Sequence, residues 1–373
     1  MIYFDNAATT KCCNDSKNEY IKQLDYYGNS SSEYKIGRNS KKCIADAKYL
    51  ISRILNCKPE NIYFTSGGSE SDSWAILKSV KLNDRKTIIT SEFEHSAVLN
   101  SCNELKKNGY NIIYLKPNCS GIITPDSLRA VMSNDVALVS IMFLNNEIGT
   151  VQPIKELAKI THEYGSLFHC DAVQAVGHLP LNLMDIDIDF MSSSSHKFYG
   201  PKGCGFLYIK NINTIGNLIY GGHQQNGIRP GTENSQCISA MAKALEFSDS
   251  MMEQYLLLCS ELKARLVQDL IKYKINYKIN GIQNYDGIIS LCLFDIDNEA
   301  LVNFMDLKNI CISYGSACNT GSLEPSHVLK SIGLPDNEAN STVRLSFSYE
   351  NTVEEIDSFV KYLSDFISLQ VKE

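Results

Sequence analysis

A lysine set between a serine run and a glycine-proline turn is the feature of this chain best suited to covalent chemistry. The stretch reads Ser192-Ser193-Ser194-Ser195-His196-Lys197-Phe198-Tyr199-Gly200-Pro201-Lys202-Gly203. It follows Ile186–Met191, whose apolar pattern predicts a buried strand. The Lys197 amine then stands at a strand end, ringed by small hydroxyl groups and flexible backbone. An amine that condenses with an aldehyde, beside hydroxyl and N–H groups that hold a phosphate, meets the needs of pyridoxal phosphate (PLP). The same composition also suits an ordinary solvated loop, and the rest of the chain decides between the two.

Other segments carry matching chemistry. Thr65-Ser66-Gly67-Gly68-Ser69-Glu70-Ser71-Asp72 separates a predicted strand from a helix bearing Trp74, Ile76 and Leu77. Glycines permit close backbone approach, and a helix N-terminus offers unpaired N–H groups to a dianion. His95, after predicted strand Thr87–Thr90, offers a flat ring for stacking, though a lone histidine is often a structural hydrogen-bonder. Asp171 ends the apolar run Leu167–Asp171, where a carboxylate is costly unless paired. A protonated ring nitrogen would pair with it and be kept charged. Gln174, three residues on, is placed to reach a ring hydroxyl oxygen. Arg344 has the apolar flanks Val343 and Leu345, and its planar fork suits a carboxylate. Cys318 lies in Tyr314–Gly321, a loop of small residues that would leave a thiol mobile and exposed. The plainer role for any one of 13 cysteines is packing.

Together these segments resemble the class V aminotransferase group of fold-type I PLP enzymes, and within it the cysteine desulfurases. The motifs lie near residues 5, 67, 95, 146, 171, 197, 229, 318 and 344, so the resemblance covers nearly the whole chain. It implies an α/β fold: a large PLP-binding domain over 14–245 with a mostly parallel seven-stranded sheet, and a smaller α+β domain from 1–13 and 246–373. It implies Lys197 as the cofactor lysine and phosphate contacts from Gly68, Ser69, Ser194 and His196. His95 would stack on the ring and share in catalysis, and Asp171 and Gln174 would hold the ring. Asn146, in Asn145–Gly149, would touch cofactor and substrate. Thr232, in Arg229–Asn234, matches a threonine that reaches the phosphate from the other subunit of a homodimer. Arg344 and Arg229 would bind the substrate, and Cys318 would be the nucleophile.

The implied activity removes sulfur from L-cysteine, giving L-alanine and a persulfide on Cys318. That sulfur would pass to an acceptor protein for iron–sulfur cluster assembly or for thiolation of tRNA or a cofactor. A selenocysteine lyase or another PLP enzyme of class V is the alternative. Asn29–Gly37 departs from the family's Asn-Pro-Ser-Ser-x-His-x-x-Gly, with Ser30 for proline and Tyr34 for histidine. Ser69 replaces the usual threonine and keeps its hydroxyl.

The elements that must position these groups alternate. From about residue 60 to 210, β-rich runs (Asn61–Thr65, Thr87–Thr90, Asn111–Leu115, Val136–Phe143, Leu167–Asp171, Ile186–Ser192, Gly205–Ile209) are separated by helical patterns. This predicts a mostly parallel sheet with helices on both faces, and ligands beyond the carboxyl ends of its strands. Pro153–Tyr164 predicts a helix that stops at Gly165. After about residue 245 come a long helix over Met251–Lys274 and strands Ile288–Phe294, Ile310–Ser313 and Thr342–Phe347. A last helix starts from Thr352, with Glu355 completing a capping box.

Bulk properties narrow the function classes. A chain of 373 residues has room for two domains. The net charge of −7, without a basic block, argues against a nucleic-acid partner. No apolar run is long enough to span a bilayer, and Met1–Asp5 lacks the pattern of a signal peptide, so a cytoplasmic protein is expected. The scattered, odd-numbered cysteines read as reduced thiols. Without Cys-x-x-Cys or His-x-x-His pairs, no metal site is expected.

Overall fold

Short runs of apolar and β-branched residues build the strands of this chain in the computed structural model, which describes residues 1–82, 84–282, 284–314 and 325–370. In order they are β1 (Ile2–Tyr3), β2 (Ile62–Thr65), β3 (Thr87–Ser91), β4 (Asn111–Leu115), β5 (Val136–Ser140), β6 (Leu167–Asp171), β7 (Phe190–Ser194) and β8 (Gly205–Ile209). Then follow β9 (Tyr277–Ile279), β10 (Ile288–Leu293), β11 (Ile310–Cys311) and β12 (Thr342–Ser346). Seven form one sheet in the order β2-β8-β7-β6-β5-β3-β4. β8 runs antiparallel to β2 and β7, and the other neighbours pair in parallel. β2, β3, β5, β7 and β8 are buried along their whole length, as in a sheet covered on both faces.

The helices that flank the sheet obey their end signals. Ile154–Glu163 starts after Pro153, and the chain leaves it at Gly165 with φ of 65°, a left-handed turn that glycine adopts without strain. The helix Gly68–Ser79 is anchored by Trp74, which is fully buried and donates its indole N–H to the Gly216 carbonyl at 2.9 Å. Truncating such a core indole costs about 3–5 kcal/mol. That anchor matters because the helix N-terminus faces the site described below.

Two elements differ from expectation. β7 starts at Phe190, not Ile186. The Asp189 carboxylate accepts the Phe168 N–H at 2.8 Å and lies 2.8 Å from His162 Nε2, so the chain is held in a turn until that point. The strand therefore carries Ser192, Ser193 and Ser194 themselves. The long helix starts at Ser235, not Met251, because Asn234 caps it by accepting the Cys237 N–H at 3.1 Å. Its first turns bury Ala240, Met241, Ala244 and Leu245, and it runs unbroken past residue 245 to Lys272.

The N-terminal segment packs on C-terminal elements. β1 pairs in parallel with β11, Asp5 bridges to Ser346, and Phe4 meets the rings of Phe347 and Phe359 edge-on at 5.6 and 6.2 Å. β12, β10 and β9 form a separate antiparallel sheet. Ahead of the last helix the Glu355 carboxylate accepts the Thr352 N–H at 3.2 Å, half of the expected capping box. Among the described residues no helix is long and apolar enough to cross a membrane.

Candidate active site

The carboxyl ends of β2, β3, β6 and β7 converge on one cavity of about 210 Å³, where open α/β sheets bind ligands. Gly68, Ser69, His95, Asn146, Asp171, Gln174, Ser194, His196, Lys197 and Arg344 all line it. Residues 276 positions apart in sequence, Gly68 and Arg344, thus share one wall.

Lys197 closes a single helical turn, Ser195–Lys197, directly after β7. Its Nζ donates to the carbonyls of Ala7 at 2.5 Å and Ala8 at 2.9 Å. The segment supplying those carbonyls is itself tied to the turn. Thr10 Oγ1 donates to the His196 carbonyl at 2.9 Å and accepts the Tyr199 N–H at 2.8 Å. Gln174 Nε2 donates to the Ala7 carbonyl at 2.8 Å. Tyr199 sits at φ of 65°, a costly conformation for a bulky residue, held by Thr10 and by the Cys13 N–H on its carbonyl. The direction of the lysine is therefore over-determined.

The glycine-rich turn supplies a different chemistry. Gly67 leaves β2 at φ of 151°, and helix Gly68–Ser79 begins without a side-chain cap, so its first N–H groups remain for a ligand. A Cβ on Gly68 would come within 2.7 Å of Val173 Cγ2, so any larger residue would have to push the Val173 side chain aside. Ser194 lines the same wall. His196 has Nδ1 3.1 Å from Thr9 Oγ1, and burial drives its pKa down to about 4, which makes it neutral at pH 7.

His95 caps the helix Ser96–Lys107. Its Nδ1 accepts the Ala97 N–H at 3.2 Å, which leaves the proton of the neutral ring on Nε2. Burial holds its pKa below the ordinary value, against the pull of Asp171. Asp171 Oδ1 accepts the Val173 N–H at 2.9 Å. Burial raises its pKa, and His95 and Lys197 only oppose that rise. A cation against this carboxylate would relieve its burial.

Two buried acids escaped the sequence reading. Asp72 lines the cavity, and burial and then Asp171 raise its pKa well above the usual carboxylate range. Glu94 is lifted by burial to about 8, although its Oε1 accepts from Ser91 Oγ at 2.5 Å and from the Met142 N–H at 3.1 Å. The available signal was their position: Asp72 stands two residues before the buried Trp74, and Glu94 adjoins His95. Asp72, His95 and Asp171 hold their donor atoms within 4.8 Å of one another, a spacing open to a cation or to an organic ligand. The amine of Lys197 in the same cavity favours an organic ligand.

Arg344, on β12, is 2% exposed. Nη2 donates to Asp5 Oδ1 at 2.7 Å and Nη1 to the Asn146 carbonyl at 2.8 Å, while the buried Nε has no partner among the described residues. The fork is held rigidly with donors to spare. Arg229 lies outside the lining of this cavity and donates to Glu70 through Nε at 2.8 Å and Nη2 at 3.2 Å, bracing the helix that starts at Gly68. Thr232 is exposed and lies outside the lining. Cys318 and the rest of its loop from residue 315 onward lie outside the described residues.

The residues present fit PLP. An uncapped helix end and hydroxyls suit its phosphate, an under-compensated buried carboxylate suits its ring nitrogen, and an amine lies in the same cavity.

Comparison with known proteins agrees with this geometry. The family described as Aminotransferase class-V matches residues 2–359. Cysteine desulfurase IscS of Clostridium botulinum (strain Hall) is 39% identical, over 98% of this chain and 94% of the relative. A solved structure of a NifS-like protein superposes with a TM-score of 0.93 at 31% identity, covering 99% of both chains. Another, SspA in complex with cysteine, gives a TM-score of 0.83 at 32% identity over 93% of this chain and 99% of that one. With a lysine-bearing cavity at the strand ends and a match along nearly its whole length, the chain belongs to the class V aminotransferase family.

Proposed function

We propose that this protein is a PLP-dependent cysteine desulfurase that converts L-cysteine to L-alanine and leaves the sulfur as a persulfide on Cys318. The observation that carries this reading is one cavity uniting Lys197, Asp171, an uncapped helix N-terminus and a buried arginine. The desulfurase names of its relatives narrow the reaction within the family, and the cysteine bound to SspA supports the substrate.

Gly68, Ser69, Ser194 and His196 would hold the cofactor phosphate, Asp171 and Gln174 its ring, and His95 its face. When bound, the cofactor supplies an aldehyde that takes up the substrate amine and a ring that draws electrons from the α-carbon. Arg344 orients the substrate through its carboxylate, using the donors that Asp5 and Asn146 leave over. Lys197, steadied by the Ala7 and Ala8 carbonyls, moves the α-proton. Cys318 as thiolate attacks the substrate sulfur. An S–S bond forms, the C–S bond breaks with its electron pair passing to the carbon side, and alanine leaves after protonation.

The reading extends to assembly and location. Thr232 is exposed beyond its own cavity, and Ile219 and Tyr220 nearby in sequence are 47% and 86% exposed. A two-fold dimer, in which each Thr232 completes the neighbouring phosphate site, would use both features. The division into residues 14–245 and residues 1–13 with 246–373 belongs to this proposal, with the helix Ser235–Lys272 as shared spine. A cytoplasmic sulfur-acceptor protein is the expected partner.

The test is incubation of the purified protein and PLP with L-cysteine, with and without reductant, measuring alanine and sulfide. Stoichiometric alanine, with sulfide released by reductant and both lost in Lys197→Ala, is the expected result. No alanine from wild type loaded with cofactor would defeat the reading.

A further inference from the structure

The cavity floor holds a second carboxyl group that the mechanism above does not use. Asp72, on the second turn of helix Gly68–Ser79, is 1% exposed, lines the cavity, and its Oδ1 has no hydrogen-bond partner among the described residues. Its nearest basic atom, His169 Nε2, is 3.5 Å away, too far for a sound hydrogen bond to Oδ1. That nitrogen is engaged with Ser192 Oγ at 2.9 Å, and His169 Nδ1 with Ser140 Oγ at 2.8 Å. His169 is fully buried and driven by that burial to about 3, so it brings no positive charge. The Ser192 hydroxyl is a neutral partner.

Asp171 faces Asp72 in this same floor, the donor atoms of both lying within 4.8 Å of each other and of His95. Two carboxylates this close in a dry site do not both ionise. The ionised member is the one with better compensation. Asp171 has the Val173 N–H, His95 and Lys197 in its favour. Asp72 faces Asp171 and Glu94, both acids, with only the serine hydroxyl to help.

We propose that Asp72 is a positioning residue for Asp171: it keeps a proton on its buried carboxyl group, so that Asp171 is the single carboxylate offered to the ring nitrogen of the cofactor. The chain Ser140–His169–Ser192 fixes the carboxyl group from below. The helix that presents N–H groups at its first turn thereby sets the charge of the ring site from its second.

This inference rests on the cofactor reading, and the test separates the two. Infrared difference spectra of full-length wild type against Asp72→Asn, at pH 7 without added cofactor, read the carbonyl stretch of protonated carboxylic acids. Wild type should show one such band that the variant lacks. Loss of a carboxylate band instead, or no difference, overturns the proposal. With PLP added, visible absorbance should show Asp72→Ala binding roughly tenfold more weakly. Asp72→Asn, a neutral isostere, should restore most of that affinity, and failure to rescue also overturns the proposal. A wild-type protein that takes up no PLP defeats the cofactor reading while the infrared result still judges Asp72.

Discussion

Arg344→Lys keeps the positive charge of the proposed carboxylate site and removes its fork. Arginine has five N–H donors. Two of the guanidinium nitrogens are already engaged, with Asp5 at 2.7 Å and the Asn146 carbonyl at 2.8 Å, and the buried Nε is among those left over. A lysine ammonium has three donors on one atom. Serving Asp5 and Asn146 leaves one donor for a carboxylate that arginine grips twice. The loss is one charge-assisted hydrogen bond, about 1.5–3 kcal/mol, or roughly 10- to 150-fold in kcat/KM. Alanine formation against L-cysteine concentration measures that factor. Cysteamine, which lacks the carboxylate, is the control: its binding, read from the visible absorbance of the loaded protein, should stay within about twofold of wild type. An equal loss for both compounds, or none for L-cysteine, refutes the carboxylate role. Asp5→Ala should meanwhile lower stability by about 3 kcal/mol, because it strands a buried guanidinium.

Three further outcomes are expected. Cys318→Ser should still change the cofactor absorbance on adding L-cysteine but form no alanine, and mass spectrometry of wild type should find extra sulfur on the Cys318 peptide; a fully active variant contradicts this. Glu94 is raised from 4.5 to about 8, so its stabilising contribution is complete below 4.5 and lost as pH rises through about 8. The denaturation midpoint should fall between pH 6.5 and 8.5 by less in Glu94→Gln than in wild type, the remaining fall coming from the other raised groups, His162 and Asp72 among them; the depressed His169, His178 and His196 instead weaken the fold below pH 6.5. Mixing Thr232→Ala with Lys197→Ala under subunit exchange should restore activity, since one site of the mixed dimer carries neither change; sedimentation of an active monomer would exclude the shared site.

Much of the site was legible because its residues announce themselves locally. Gly67 and Gly68 between a strand and a helix, Asp171 at the end of an apolar run, and Lys197 in a serine-rich turn each carry a local reason for being where they are. The alternation of strands and helices placed them at one end of a sheet. Helix starts were harder to see: Ser235 opens a helix sixteen residues ahead of the expected Met251, and its cap is one Asn234 side chain. Asp189 held β7 back by bonds to Phe168 and His162, which are distant in sequence.

What the sequence by itself determined is the inventory: an amine, an under-paired acid, a flat histidine, a glycine turn and a guarded arginine, each at an end of an element set by local propensity. The tertiary structure decided which of them meet and in what ionisation state. Arg229 is 159 positions from Glu70 in sequence, and only the fold sets its guanidinium against that carboxylate. Asp72 and Glu94 look like ordinary acids in a string of letters, yet burial without a counter-charge pushes the pKa of both upward. Ala7 and Ala8 have no reactive side chain, and their carbonyls still hold the lysine. Propensity acts over a few neighbours in the chain, whereas desolvation and hydrogen-bond geometry depend on groups that only folding brings together.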